Sequence, residues 1–110
     1  MNFRKLAEDA GLEEEEFVEL VKVFADVAIS DLDRLKAAVA EGVAADMVEA
    51  AHSIKGSAVN FGFEDLRDLA RQIEMNAREG ILEGAADQVR LLEENIRLMV
   101  EKLDVWRLHR

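Results

Sequence analysis

The sequence predicts an all-α protein: an antiparallel, up-down four-helix bundle with a short extra helix at its N-terminus. Three observations predict it. None of the 110 residues is proline, while the strong helix formers Ala, Leu, Glu and Arg are abundant. Gly11, Gly42, Gly62 and Gly80 stand between stretches of helical periodicity, where glycine acts as punctuation. The connections around them are short, about two to five residues, which turns each long helix back along the one before it.

The elements follow in order. A short helix over about 2–10 is expected to pack across the bundle, and a long one over about 13–41 follows. Phe17, Leu20, Phe24, Val27, Leu35 and Ala38 give the long helix its apolar stripe, interrupted at Asp31. Glu13, Glu14, Glu15 and Glu16 fall in its first turn, where acids complement the helix dipole, so a solvated helix start is the plainer reading of that run. A third helix is predicted over about 44–61, a fourth over about 64–79 and a fifth over about 84–107. Leu66, Leu69, Ala70, Ile73 and Ala77 turn the fourth inward. The fifth carries the clearest stripe: Leu82, Ala86, Val89, Leu92, Ile96, Met99, Leu103 and Trp106. Gly56 and Gly84 do not fit the punctuation role as well as the other four glycines. With no linker, repeat or low-complexity tract, residues 1–110 are read as one domain.

Composition excludes several functions. Twenty-four acidic and 14 basic side chains give a net charge of −10, and a nucleic-acid surface would need clustered Lys and Arg. No cysteine means no disulfide framework, thiolate metal site or thiol nucleophile, and a cytoplasmic location is expected. The start, Met1-Asn2-Phe3-Arg4-Lys5, leads into an amphipathic stretch instead of an apolar signal segment. No apolar run approaches the roughly 20 residues of a membrane span. His52 and His109 lie on separate helices without a suitably spaced third ligand, so no metal site is expected. One bundle accounts for the apolar stripes, which makes a monomer the default.

The third helix carries the chemistry. At about 100° per residue, Met47, Ala50, Ala51, Ile54, Ala58 and Phe61 gather on one side as a core face, and His52 points away from it. Within about 60° of His52 lie Val48, Glu49, Lys55, Gly56 and Val59. A surface histidine alone is usually only that. Gly56 argues otherwise, because a glycine inside a helix costs about 1 kcal/mol relative to alanine. It sits four residues after His52 on the open face, as though something must approach the backbone closely there. Lys55, three residues on, brings a positive charge within reach of any anion attached to the imidazole. The valines add apolar docking area.

A neutral imidazole is a good nucleophile near pH 7, but one ring nitrogen must be held as N–H for the other to attack. A carboxylate on the adjacent helix would do this, and Glu74 flanks the fourth helix's stripe. From spacing alone, a plain surface acid is the better description of Glu74. Asn60 is read either as a cap on the third helix or as polar surface.

The run Ala51-His52-Ser53-Ile54-Lys55-Gly56-Ser57-Ala58-Val59-Asn60-Phe61-Gly62-Phe63 resembles the histidine phosphotransfer (HPt) family of two-component phosphorelays. That family's signature is H-x-x-K-G-[SGA]-[SA]-x-x-x-G. His52, Lys55, Gly56, Ser57, Ala58 and Gly62 match it position by position, and the likeness continues through Leu66, Ala70, Glu74 and Gly80. Ala70 stands where the family often has cysteine, and Glu74 where it commonly has an acid or Gln.

The resemblance implies that His52 takes a phosphoryl group on Nε2 from a receiver's aspartyl phosphate, or from a kinase, and passes it to another receiver aspartate. By the same resemblance, Lys55 stabilises the phosphoryl charge, Gly56 lets the receiver's loops close over the ring, and Glu74 orients the ring through Nδ1. Val48, Ser57, Val59 and Asn60 would support the site or the docking of the receiver. Phosphoryl transfer needs mainly positioning and charge neutralisation, so a sparse site suffices. No cofactor is expected on this chain, since Mg²⁺ belongs to the receiver. With no Gly-rich phosphate loop, autonomous kinase activity is not expected either. The expected partners are a response-regulator receiver domain and a histidine kinase of hybrid or chemotaxis type.

Two alternatives stand beside this reading. His-Ser-Ile-Lys-Gly followed by Phe61-Gly62-Phe63 is also similar to the N-terminal phosphotransfer domain of chemotaxis-type histidine kinases. Against it, the chain ends soon after Trp106 with Arg107-Leu108-His109-Arg110 and shows no linker, so an isolated single-domain phosphotransfer protein is the simpler expectation. Asn60 leans toward the relay proteins. The other alternative is a receiver-binding adaptor that is never phosphorylated, which would have no need of His52, Lys55 and Glu74 together.

Overall fold

In a computed structural model the chain is all-α, with five helices and no strand among the described residues, 2–109. Met1 and Arg110, which open and close the runs quoted above, lie outside them. The helices are α1 (Phe3–Ala10), α2 (Glu14–Glu41), α3 (Ala44–Phe61), α4 (Glu64–Arg78) and α5 (Ala85–Leu108). Each begins and ends within two residues of the expected bounds.

Local chemistry sets these limits. Asn2 caps α1, its side chain accepting from the Lys5 N–H at 3.1 Å. At the head of α2 the Glu16 carboxylate reaches back to the Glu13 N–H at 3.3 Å, and Glu14, Glu15 and Glu16 fill the first turn. Glu14 also accepts from the Trp106 indole N–H, tying α2 to the end of α5. Gly62 ends α3 with φ of 74°, its N–H bonding the Ala58 and Val59 carbonyls. The cap of α3 is therefore Gly62, and Asn60 is an exposed residue of the last turn. Gly84, which fits the punctuation role less well by sequence, is the N-cap of α5, with φ of 79°.

Helices α2, α3, α4 and α5 touch in a closed ring, α2 to α3, α3 to α4, α4 to α5 and α5 back to α2, while α1 packs on α2. Leu35, Met47, Ile54, Ile73, Leu92 and Met99 fill the centre. Phe17, Phe24, Phe61 and Phe63 cluster at one end, with ring centroids 5.1 to 5.9 Å apart, and fix the end of α3 against α2.

Two apolar stripes differ from expectation. On α2, Leu20 and Val27 are each 46% exposed, and the inward face is carried by Val18, Val21, Ala25, Ala28 and Leu32 together with Phe17, Phe24, Leu35 and Ala38. Apolar residues surround more of this helix than its neighbours cover, so periodicity alone could not choose the face. On α5, Leu82 precedes the helix and Ala86 is exposed, and Ala85 takes the buried position. One residue of offset turns a side chain by about 100°, which is enough to carry Ala86 out of the core.

Candidate functional site

His52 stands near the middle of α3, its side chain 61% exposed, while Met47, Ala50, Ala51, Ile54 and Ala58 are buried on the opposite face. The core holds the helix and the helix presents the ring. Asp31, the acid that interrupts the stripe of α2, is buried and accepts from Ser53 Oγ at 2.6 Å. Arg34 reaches Asp31 at 3.5 Å and Glu49 at 3.4 Å, with residue numbers rising on α2 as they fall on α3. This polar seam fixes the register of the α2–α3 pair on the residue next to His52, because a buried carboxylate is costly unless bonded.

On the other flank is Glu74 of α4. It is not a surface acid: its side chain is 5% exposed and every visible partner is a donor. Oε2 accepts from His52 Nδ1 at 2.9 Å and from Arg78 Nη2 at 2.8 Å and Nε at 3.3 Å. Oε1 meets Lys55 Nζ at 2.7 Å. It escapes the surface because Ala70, Ile73 and Ala77 turn that side of α4 onto the core, and α3 lies against it.

Burial pushes the Glu74 carboxyl up, and the hydrogen bonds from Lys55, Arg78 and His52, with the Lys55 charge, outweigh it and bring it from 4.5 down to about 2. An ionised carboxylate can only accept, so His52 Nδ1 carries the hydrogen, and in the neutral ring Nε2 holds the free lone pair. The ring is fixed in the tautomer that makes Nε2 nucleophilic, and most of it faces solvent.

Gly56 lies on the same exposed surface, and a Cβ built there would meet nothing within 4 Å. Its φ is not among the positive ones, so neither packing nor backbone strain within the domain asks for glycine. Val59 is 55% exposed, Asn60 is exposed, and Val48 and Ser57 are half-buried. The structure thus brings His52, Lys55 and Glu74 into direct contact, with Gly56 one turn further along the helix. Sequence reasoning missed Arg78, whose four-residue spacing from Glu74 was the available clue. It also missed the Asp31–Ser53 bond, for which the acid within an apolar stripe was the clue.

Residues 19–106 match the family model of the Hpt domain, and the chain belongs to that family. Its structure is similar to the crystal structure of histidine-containing phosphotransfer protein B (HptB) from Pseudomonas aeruginosa PAO1. The TM-score is 0.87 at 26% identity, over 100% of this chain and 96% of that one. No curated protein matches the sequence. The chain is a phosphorelay protein that performs histidine phosphotransfer with response regulators. Hpt domains are phosphocarrier modules, not kinases, and as a family they work with receiver domains and histidine kinases. No helix among the described residues is long and apolar enough to cross a membrane.

Proposed function

We propose that His52 is the phosphoacceptor, taking a phosphoryl group on Nε2 from the aspartyl phosphate of a receiver domain and returning it to another. One observation carries this: the exposed ring is held through Nδ1 by a buried, ionised Glu74. The Nε2 lone pair forms the N–P bond as the P–O bond of the acyl phosphate breaks and the receiver's carboxylate leaves with that electron pair. The ring then carries a positive charge, which the Nδ1–H···Glu74 bond stabilises. The same bond serves both directions of transfer. Lys55 neutralises the phosphoryl oxygens, and the bare backbone at Gly56 admits the receiver's loops. Val48 and Val59 supply apolar contact, with Ser57 and Asn60 at the edge of the docking face.

In this reading residues 1–110 form a single Hpt domain, an antiparallel up-down four-helix bundle with α1 as the extra helix. It works as a cytoplasmic monomer without kinase activity, metal or cofactor of its own, and Mg²⁺ sits in the receiver. A docking-only adaptor would have no use for a buried carboxylate on Nδ1.

The test is phosphoryl transfer from a panel of aspartyl-phosphorylated receiver domains to the protein and to His52→Gln. Acid-labile, base-stable label on the wild type and none on the variant is the expected result. Tight receiver binding without label would give the site to the adaptor reading.

A further inference from the structure

The carboxylate of Glu74 takes more cations than orienting a histidine requires. His52 Nδ1 and Arg78 share Oε2, and Lys55 alone holds Oε1. Lys55, the residue with a charge to offer a phosphoryl group, is therefore already engaged at 2.7 Å when the ring is empty. Its bond can open without disturbing the other oxygen. Opening it would ordinarily be resisted, since a buried carboxylate that loses its partner is strongly destabilised. Arg78 removes that obstacle. It approaches from the solvent side of α4 with its side chain 58% exposed and keeps Oε2 bonded through two nitrogens.

We infer that Arg78 is a positioning residue that frees Lys55: when His52 is phosphorylated, Lys55 leaves Glu74 Oε1 for the phosphoryl oxygens, and Arg78, with the ring on the same oxygen, keeps the buried carboxylate compensated and bonded to Nδ1. This rests on His52 being the phosphoacceptor. The plainer account makes Arg78 an ordinary helix-surface ion pair four residues from its partner, of little weight and touching nothing else.

The two accounts separate by experiment on the full chain with phosphoramidate as the phosphoryl donor. Its P–N bond breaks, ammonia leaves, the Nε2–P bond forms, and the Nδ1 proton stays in place. Nitrogen NMR of the Lys55 ammonium and the Arg78 guanidinium is read before and after, with label on His52 counted in parallel. In the wild type the Lys55 signal moves on phosphorylation while the Arg78 Nε–H signal stays. In Arg78→Gln the Lys55 signal stays at its unphosphorylated position, and phosphoryl occupancy at equilibrium falls about tenfold, the scale of one charge-assisted hydrogen bond. Arg78→Lys restores both.

A Lys55 signal unmoved in the phosphorylated wild type overturns the handover without recourse to any variant. Movement in Arg78→Gln equal to that in the wild type reduces Arg78 to a surface pair and overturns it too. Absence of label from wild-type His52 is a different failure, which removes the phosphoacceptor reading and this inference with it.

Discussion

At the scale of single residues, the site is a problem of holding one proton in place. Nδ1 must keep it and Nε2 must not, and a carboxylate that stays ionised is the simplest enforcing group. Glu74→Gln can still accept through its amide oxygen but loses its charge, and Glu74→Ala loses both. Nitrogen-15 shifts of the His52 ring should therefore show the Nδ1–H tautomer weakened in the glutamine variant and equilibrating with the other tautomer in the alanine variant. Unchanged ring shifts in Glu74→Ala would remove Glu74 from the site. On the opposite flank, Ser53→Ala leaves buried Asp31 without its 2.6 Å donor. The expected loss is about 1–3 kcal/mol by denaturant titration, with an unchanged m-value.

At the scale of the helix, the telling residue is Gly56. The interior of α3 would be more stable with almost any other side chain, and a Cβ there points into open space. Gly56→Ala should raise stability by about 0.5–1 kcal/mol. Gly56→Gln should keep the helix by circular dichroism yet slow receiver transfer severely, because the larger side chain stands where the receiver must come. If Gly56→Gln transfers at the wild-type rate, the close-approach argument fails. The outer face of α2 presents a related case. Leu20, Val23 and Val27 are exposed at helical spacing, so polar substitution there should leave thermal stability within about 0.5 kcal/mol of wild type.

For the whole molecule, the buried charge makes stability depend on acid. Glu74 has its carboxyl lowered from 4.5 to about 2, so its contribution is fully present above 4.5 and is lost as pH falls toward 2. Stability measured by urea titration from pH 5 to 2 should fall less steeply in Glu74→Gln than in wild type, and equal slopes would contradict the assignment. The core sets the other limit. Leu35 is fully buried at the centre of the bundle, and Leu35→Ala should cost about 2–5 kcal/mol. In a chain of 110 residues that is a large share of the total.

Much of this is legible in the sequence alone. Helix limits followed from local rules, since a glycine or a run of acids acts on its own turn, and the face of α3 followed from periodicity because its apolar and polar residues separate cleanly. His52, Lys55 and Gly56 could be read together because they share one helix, where sequence spacing is spatial spacing. Leu20 and Val27 could not be placed, since an apolar residue is buried only if a neighbour covers it. Glu74 could not be distinguished from a surface acid for the same reason: its burial, its ionisation and its bond to Nδ1 depend on how α4 lies against α3. The sequence by itself determined which residues stand on each helix and the chemistry they carry. Only the tertiary structure decided which donors gather on one carboxylate, because the His52–Glu74 contact joins residues 22 apart in the chain at 2.9 Å in space.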